Sequence, residues 1–216
     1  MKPILTVMPS RGRVEECKRA VDSFFSTSTK SDLIILVDED DPQLLEYHSI
    51  GYLQIASRGT ITQRINQAFQ DKPDYQYYHI SNDDVLYHTP QWDLKILQLF
   101  DDYGDGIAYG NDLFQGENLC TFPFISGPIA KSIGWLQMPL LNRYCGDLVW
   151  KLLGKNLNCL YYYQDIVIEH LHYLIGKGNH PVDMEIYQQD KIAFAQWLQK
   201  ADLDIWKVRK MVQGVK

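Results

Sequence analysis

The chain has 216 residues, of which 45% are hydrophobic and 22% are charged, and its formal net charge is −6. This length and composition are typical of one globular domain and exclude a disordered chain. The acidic balance argues against a strong nucleic-acid footprint, which needs clustered Lys and Arg, and against tight electrostatic binding to an anionic membrane.

The cysteines and the apolar runs bear on where the protein works. The cysteines are scattered without C-x-x-C spacing, at Cys17, Cys120, Cys145 and Cys159. Such spacing predicts reduced, mostly buried thiols. The apolar N-terminal run is too short for the core of a signal peptide, and no run approaches the ~18 apolar residues of a transmembrane helix. We therefore expect a cytoplasmic protein without a transmembrane segment.

Alternating apolar runs and helical stripes predict an α/β domain with a mostly parallel central sheet flanked by helices. Residues 4–8 and 33–37 are typical of buried strands, and residues 13–25 between them carry a helical stripe. Strand, helix and strand at this spacing form a βαβ unit, which implies parallel pairing. The pattern continues with strands at 52–56 and 75–81, extended structure at 122–127, and helices at 60–70, 92–103, 131–135 and 147–153.

The last third of the chain is expected to complete the same domain, which spans residues 1–216. Gly154 is predicted to end the helix that precedes it, in a left-handed cap. Residues 159–174 are typical of one or two strands, and a helical segment from about 182 to 216 should pack on the domain. We expect Trp206 to pack there, with docking on a membrane or partner as the alternative.

Polar segments follow three of the predicted strands, at residues 9–13, from Asp38, and at residues 82–84. In an open parallel sheet, ligands bind beyond the carboxyl ends of the strands, so these segments should meet at one edge. An arginine-bearing loop beside acidic side chains suits a nucleoside diphosphate with a divalent ion. For Asp40 and Asp41, just before Pro42, a role as turn formers is the favoured interpretation.

Several short motifs, taken in order over residues 4–174, resemble those of the GT-A glycosyltransferases, in particular the family 2 type. The sequences VMPSRGR (7–13) and LVDE (36–39) resemble its nucleotide loop and second strand. RG (58–59), followed by RIN (64–66), is similar to its next helix. HISNDDV (79–85) lies where its metal-binding D-x-D belongs, YCGDLVW (144–150) resembles its late acidic motif, and HLH (170–172) lies where many members place a metal-binding histidine. One departure is Asn82, which replaces the first Asp of the D-x-D.

The resemblance implies a single GT-A, Rossmann-like domain and assigns roles to individual residues. Asp84 would bind the divalent metal with Asn82 or Asp83 and one histidine, His172 slightly ahead of His170. Asp147 would be the catalytic base, and its alternative role is an N-cap. The residues implied in nucleotide-sugar binding are Pro9, Ser10, Arg11, Arg13, Asp38, Gly59, Arg64 and Asp83. Arg58 and Lys177 are either phosphate partners or surface charges. His180 either acts in a loop that closes over the donor or, as the favoured interpretation, is an ordinary loop residue.

The expected function is transfer of a sugar, with inversion, from a nucleotide-sugar donor to an acceptor hydroxyl, with Mn²⁺ or Mg²⁺ as cofactor. The acceptor is open between a glycan, a lipid-linked molecule and a protein. One alternative is a sugar nucleotidyltransferase, but that class has a Gly-rich first loop and this loop has only Gly12. Another is a degenerate domain that binds a nucleotide or sugar without turnover, which Asn82 favours.

Overall fold

A computed structural model describes residues 2–212. The predicted domain and its terminal helical segment extend beyond these, so residue 1 and residues 213–216 lie outside the described residues. The centre of the fold is a sheet of eight strands in the order β3-β2-β1-β4-β7-β6-β8-β5. The strands are β1 (Lys2–Pro9), β2 (Ser31–Asp38), β3 (Leu53–Ala56), β4 (Tyr75–Ile80), β5 (Val85–Tyr87), β6 (Ile107–Asn111), β7 (Phe124–Ser126) and β8 (Leu160–His170).

The first half of the sheet is parallel, and antiparallel strands enter in the second half. β1 pairs in parallel with β2 and β4, and β2 pairs in parallel with β3. β7 runs antiparallel to β4 and β6, while β6 and β8 are parallel and β5 is antiparallel to β8. The predicted mostly parallel α/β sheet is therefore confirmed, and the carboxyl ends of β1, β2 and β4 lie side by side.

Helices cover both faces of the sheet. They are α1 (Val14–Thr27), α2 (Leu44–Tyr47), α3 (Ile61–Asp71), α4 (Trp92–Tyr103), α5 (Gly127–Ile133), α6 (Gly146–Leu157), α7 (Met184–Leu198) and α8 (Ala201–Val212). Successive side chains of a strand point to opposite faces. In β1, Leu5 and Val7 accordingly pack with residues of α3, α5, α6 and α8, whereas Ile4 and Met8 pack with residues of α1 and α4.

Two local predictions are wrong, and one strand was missed. Gly154 does not end its helix, because α6 continues to Leu157 and Asn158 takes the left-handed cap. A Cβ on Gly154 would lie 2.9 Å from side-chain atoms of Leu160, so the glycine allows close packing of β8 on the helix. The short helix predicted at 131–135 spans Gly127–Ile133 and ends at Gly134 with a φ of 85°. Strand β5 was not predicted.

The C-terminal helices pack on the domain, but not through the expected tryptophan. Ile205 and Val208 of α8 and Trp197 of α7 are buried in the core, while Trp206 is 57% exposed and lies beneath the ammonium of Lys210. The amphipathic pattern of α8 thus places Trp206 on the outer face. Within residues 2–212, no helix has both the length and the apolar composition needed to cross a bilayer.

Candidate active site

A buried ion pair joins the loops that follow β1 and β4. Nη2 of Arg13 lies 2.5 Å from Oδ1 of Asp83, whose side chain is fully buried. The hydroxyl of Ser10 donates to Oδ2 of Asp83 at 2.7 Å and lies 2.6 Å from the hydroxyl of Tyr47. Burial raises the pKa of Asp83 to about 7, against the opposing effect of Arg13. Asp83 therefore holds two loops together from the inside.

The backbone of the first loop is bound by the segment that follows β2. The N–H groups of Gly12, Arg13 and Val14 donate, respectively, to the carboxylate of Asp41, the hydroxyl of Tyr47 and the side-chain carbonyl of Gln43. These amides precede or begin α1, where free N–H groups would otherwise need other acceptors. The loop is thus fixed before any ligand arrives, and Asp41 has the local structural role that its position before Pro42 suggested.

Asp84, the neighbour of Asp83, faces the cleft instead of the core. Its Oδ2 lies 3.7 Å from Nη1 of Arg13, and its Oδ1 lies 3.6 Å from Nε2 of His170. Oδ1 is buried and has no hydrogen-bond partner. Burial raises the pKa of Asp84, but the adjacent His170 and then Arg13 outweigh it and hold the pKa below its usual value. Asp84 thus lines the cleft as a group whose charged form is favoured by its neighbours.

The two histidines lie side by side, although only one belongs to the strand. β8 ends at His170 and His172 follows it, with ring centroids 4.7 Å apart. Nδ1 of His172 accepts a hydrogen bond from the backbone N–H of Leu174, and its ring stacks on Phe114 at 4.9 Å. The histidine beside Asp84 is therefore His170, whereas the sequence placed His172 slightly ahead.

Asp147 lies in the first turn of α6 but does not cap it. The N-cap is Cys145, in the left-handed region at a φ of 66° and without a side-chain cap. The backbone N–H of Leu148 donates to Oδ1 of Asp147 at 2.8 Å. Burial raises the pKa of Asp147, partly offset by that hydrogen bond. The alternative N-cap role is therefore wrong, and the carboxylate is directed to the cleft.

These side chains line one cleft of about 510 Å³, within the range of small-molecule sites. Seven of the residues predicted for the site line it: Pro9, Arg13, Asn82, Asp84, Asp147, His170 and His172. Lys177 and His180 also line it, and they contact Glu169 and Glu16 at 2.6 Å and 3.4 Å.

The other predicted residues lie behind the cleft or beside it. Arg64 is buried and donates to the backbone carbonyls of Val37 and Gln54, and its Nε lies 3.5 Å from Asp38. Asp38 also pairs with Arg11 at 3.1 Å. These contacts give Arg64 a role in joining β2, β3 and α3.

A second, more open groove of about 760 Å³ lies at the ends of β3 and α3, and Gly59, Arg58 and Arg64 line it. Of the remaining predicted residues, Ser10 and Asp83 are buried beneath the cleft, and Arg11 pairs with Asp40 near the surface.

Four residues at the site were not predicted from the sequence. Arg143, Tyr144 and Gln137 line the cleft, and Tyr47 supports its floor through Ser10 and Arg13. Arg143 directly precedes the acidic motif at 144–150 and Tyr144 is its first residue, so proximity to Asp147 was the available signal for a role of either side chain. Nothing in the sequence pointed to Tyr47 or Gln137.

The residues at Asp84 fit a divalent cation that is shared with a ligand. Among the described residues, no three His, Cys, Asp or Glu side chains form a complete metal site. Mg²⁺ and similar ions usually take one or two protein ligands and complete their shell with water and substrate phosphates. The buried Oδ1 of Asp84, which accepts no hydrogen bond and lies 3.6 Å from Nε2 of His170, matches that incomplete donor set.

Comparison with solved structures identifies the fold. Glucosyl-3-phosphoglycerate synthase from Mycobacterium tuberculosis, solved with Mn²⁺, UDP-glucose and phosphoglyceric acid, aligns with a TM-score of 0.61 and 13% identity, over 92% of this chain and 79% of that one. The mannosyltransferase PcManGT from Pyrobaculum calidifontis, solved with GDP-Man and Mn²⁺, aligns with 0.57 and 10%, over 98% and 74%. S. aureus TarS aligns with 0.59 and 10%, over 78% of this chain and 36% of TarS.

The chain has the GT-A fold. The expectation of this fold is thereby confirmed. No family model and no curated protein matches the sequence. At these identities the likeness establishes the fold alone, so the chemistry has to be argued from the cleft. The chain also spans little more than a third of TarS, so nothing about that whole enzyme transfers.

The ion pair of Arg13 and Asp83 predicts a large stability cost when only one partner is removed. Arg13→Met leaves a buried carboxyl without its cation, which should lower the free energy of unfolding by about 3 kcal/mol. Urea unfolding at neutral pH measures this. Arg13→Met/Asp83→Asn should recover at least half of the loss, because the charge that needs compensation is gone.

Arg11→Met is the matched control, since it removes an arginine of the same loop whose pairs with Asp38 and Asp40 are partly exposed. Its cost should stay within about 1 kcal/mol. Equal costs for the two arginines would contradict the structural role given to the Arg13–Asp83 pair.

Proposed function

We propose that this protein is a metal-dependent glycosyltransferase that transfers a sugar from a nucleotide-sugar donor to an acceptor hydroxyl with inversion. The observation that carries the proposal is that Asp84 and Asp147, carboxylates with different environments, line the same cleft together with Arg13 and His170. The structures that share the fold include enzymes solved with Mn²⁺ and UDP or GDP sugars, which supports the donor class.

Asp84 and His170 would hold the divalent ion, with Asn82 nearby in the same cleft. When bound, such an ion acts as a Lewis acid that stabilises the negative charge of a departing diphosphate. Arg13 adds a positive charge 3.7 Å from Asp84. Its guanidinium is already held by Asp83 and its backbone N–H by Tyr47, so its position costs little reorganisation. Preorganised charge of this kind favours the transition state over the bound donor.

Asp147 would act as the general base. The acceptor hydroxyl gives its proton to the carboxylate as its oxygen attacks the anomeric carbon, and the bond from that carbon to the diphosphate breaks on the opposite face. The new glycosidic bond then has inverted configuration. Burial raises the pKa of Asp147, which makes its carboxylate a stronger base than that of an exposed aspartate.

The acceptor stays open between a glycan, a lipid-linked molecule and a protein, and the cytoplasmic location stays a prediction. A sugar nucleotidyltransferase is disfavoured because the backbone N–H groups of residues 12–14 are already bound by side chains and are not free to cradle a triphosphate. A binding domain without turnover is the remaining alternative, and activity measurements separate it from a transferase.

Metal-dependent donor binding is the first test. A panel of UDP and GDP sugars with Mn²⁺ should raise the melting temperature with at least one donor, by roughly 5–10 °C at a hundred times its dissociation constant. Asp84→Asn should abolish the shift because it removes the charged metal ligand. The control Asp102→Asn changes an exposed carboxylate on α4 and should leave the shift intact. A full shift with Asp84→Asn, or without metal, would contradict the proposed metal site.

Removal of the base is the second test. Asp147→Asn should keep the donor-induced shift but slow transfer, or hydrolysis of the same donor, by about 10²–10⁴-fold. In the unmodified protein the base works only when ionised, so the rate should fall as the pH is lowered through the raised pKa of Asp147. A normal rate for Asp147→Asn would contradict the assignment of Asp147 as the base. A donor that binds to the unmodified protein without any hydrolysis or transfer favours the alternative of a binding domain.

A further inference from the structure

Asp190 of α7 is a fully buried carboxylate whose partners all lie in one distant loop. Its Oδ1 accepts from the backbone N–H of Asn142 at 2.7 Å and from the side-chain amide of Asn142 at 3.1 Å. Its Oδ2 accepts from the backbone N–H groups of Arg143 at 2.8 Å and Tyr144 at 2.7 Å. The carboxylate thus binds three successive amides of the segment that leads into α6.

The segment bound by Asp190 carries part of the cleft wall and ends at the proposed base. Arg143 and Tyr144 line the cleft, Cys145 makes the left-handed turn, and Asp147 follows in the first turn of α6. Only Cys145 and Gly146 separate the last amide held by Asp190 from Asp147. A displacement of the segment would therefore move Asp147 with it.

On its other side, the start of α6 is supported by α3 through residues 136 and 137. Oδ1 of Asn66 accepts from the backbone N–H groups of Leu136 and Gln137, and its Nδ2 donates to the carbonyl of Gln137. The amide of Gln137 in turn packs against Gly146, where an added Cβ would lie 2.3 Å from it. The start of α6 is therefore held between α3 on one side and α7 on the other.

We propose that Asp190 is a positioning residue for the transfer step, acting through residues 142–146 to hold Asp147 in place. This inference rests on the proposed function. Asp190 does not line the cleft, so it acts on the rate through the base and not through donor or metal binding. Side chains that orient a reacting group in this way matter because small misplacements slow a reaction strongly.

Asp93 offers a matched control. It is also fully buried, and its Oδ2 accepts from the backbone N–H groups of Thr29, Lys30 and Ser31. Those amides lie at the amino end of β2, whereas the cleft lies at the carboxyl ends of the strands. Asp93 and Asp190 therefore each bind three successive backbone N–H groups, but Asp93 does so at the amino end of β2, away from the cleft.

The experiment compares Asp190→Asn with Asp93→Asn in the full chain. Both should lower the unfolding midpoint, since each exchanges an acceptor oxygen for an amide that faces backbone N–H groups. Only Asp190→Asn should lower kcat for donor hydrolysis, by about ten- to a hundredfold, with the donor dissociation constant in Mn²⁺ unchanged within about twofold. Rates are measured well below both midpoints, where both variants are folded.

The decisive arm repeats Asp190→Asn in the Asp147→Asn background. If Asp190 acts through the base, the second substitution should add no further loss to the residual rate, because groups that act as a unit are not additive. A further loss as large as in the unmodified background overturns the inference, as does an equal slowing by Asp93→Asn. An unchanged kcat for Asp190→Asn reduces Asp190 to a structural role.

If Asp190→Asn does not fold, Asp190→Glu keeps the charge, moves it by one methylene and carries the same expectations. Failure of the proposed function looks different from failure of this inference. The unmodified chain would then turn over no donor at all, or Asp147→Asn would work at the normal rate, and both proposals would fall. Normal turnover that depends on Asp147 but not on Asp190 overturns only the inference.

Discussion

The arrangement of the cleft depends on the ion pair between Arg13 and Asp83. β1 and β4 are neighbours in the sheet, so the loops after them emerge side by side, and the fully buried Asp83 ties the start of α1 to the end of β4. The hydroxyl of Ser10 donates to that carboxylate, and the hydroxyl of Tyr47 binds the hydroxyl of Ser10 and the backbone N–H of Arg13. A buried charge has to be compensated in this way, so the loops have little freedom to separate.

The ion pair also gives the adjacent Asp83 and Asp84 different roles. Asp83 points inward and contacts Arg13 and Ser10, whereas Asp84 faces the cleft and its Oδ1 accepts no hydrogen bond. The motif with Asn82 in place of an aspartate therefore retains the one carboxylate that faces His170. We therefore assign the proposed metal binding to Asp84, while Asp83 holds the loops beneath the cleft together.

Much of the fold could be predicted, because β1 and β2 contain apolar runs, β4 is rich in Tyr and Ile, and polar residues follow each of the three strands. The order of the motifs supplied the GT-A resemblance and placed Asp84, Asp147 and the histidines together. What could not be predicted depends on contacts between distant parts of the chain. β5 has only three residues and exists through its pairing with β8.

The errors have the same origin. Gly154 carries the ordinary signal for a helix end, yet it serves the approach of Leu160. Asp190 resembles any solvated acidic residue of a helix, and only the path of residues 142–144 shows that it is buried. Trp206 and Trp197 could not be ranked, because the sequence does not say which face of each helix meets the domain. The fold and the loops that follow β1, β2 and β4 were thus predictable. The buried side chains that hold those loops and the start of α6 in place were not.

The central claim is that a divalent cation binds at Asp84 and His170 and meets the diphosphate of the donor there. Crystals grown with Mn²⁺ and the nucleoside diphosphate of the donor selected by the binding panel would locate the ion by its anomalous scattering. The account predicts a Mn²⁺ peak in contact with Asp84, with His170 and a phosphate oxygen in the same coordination shell. A peak elsewhere on the protein, or a diphosphate bound in the cleft without any ion at Asp84, would contradict it.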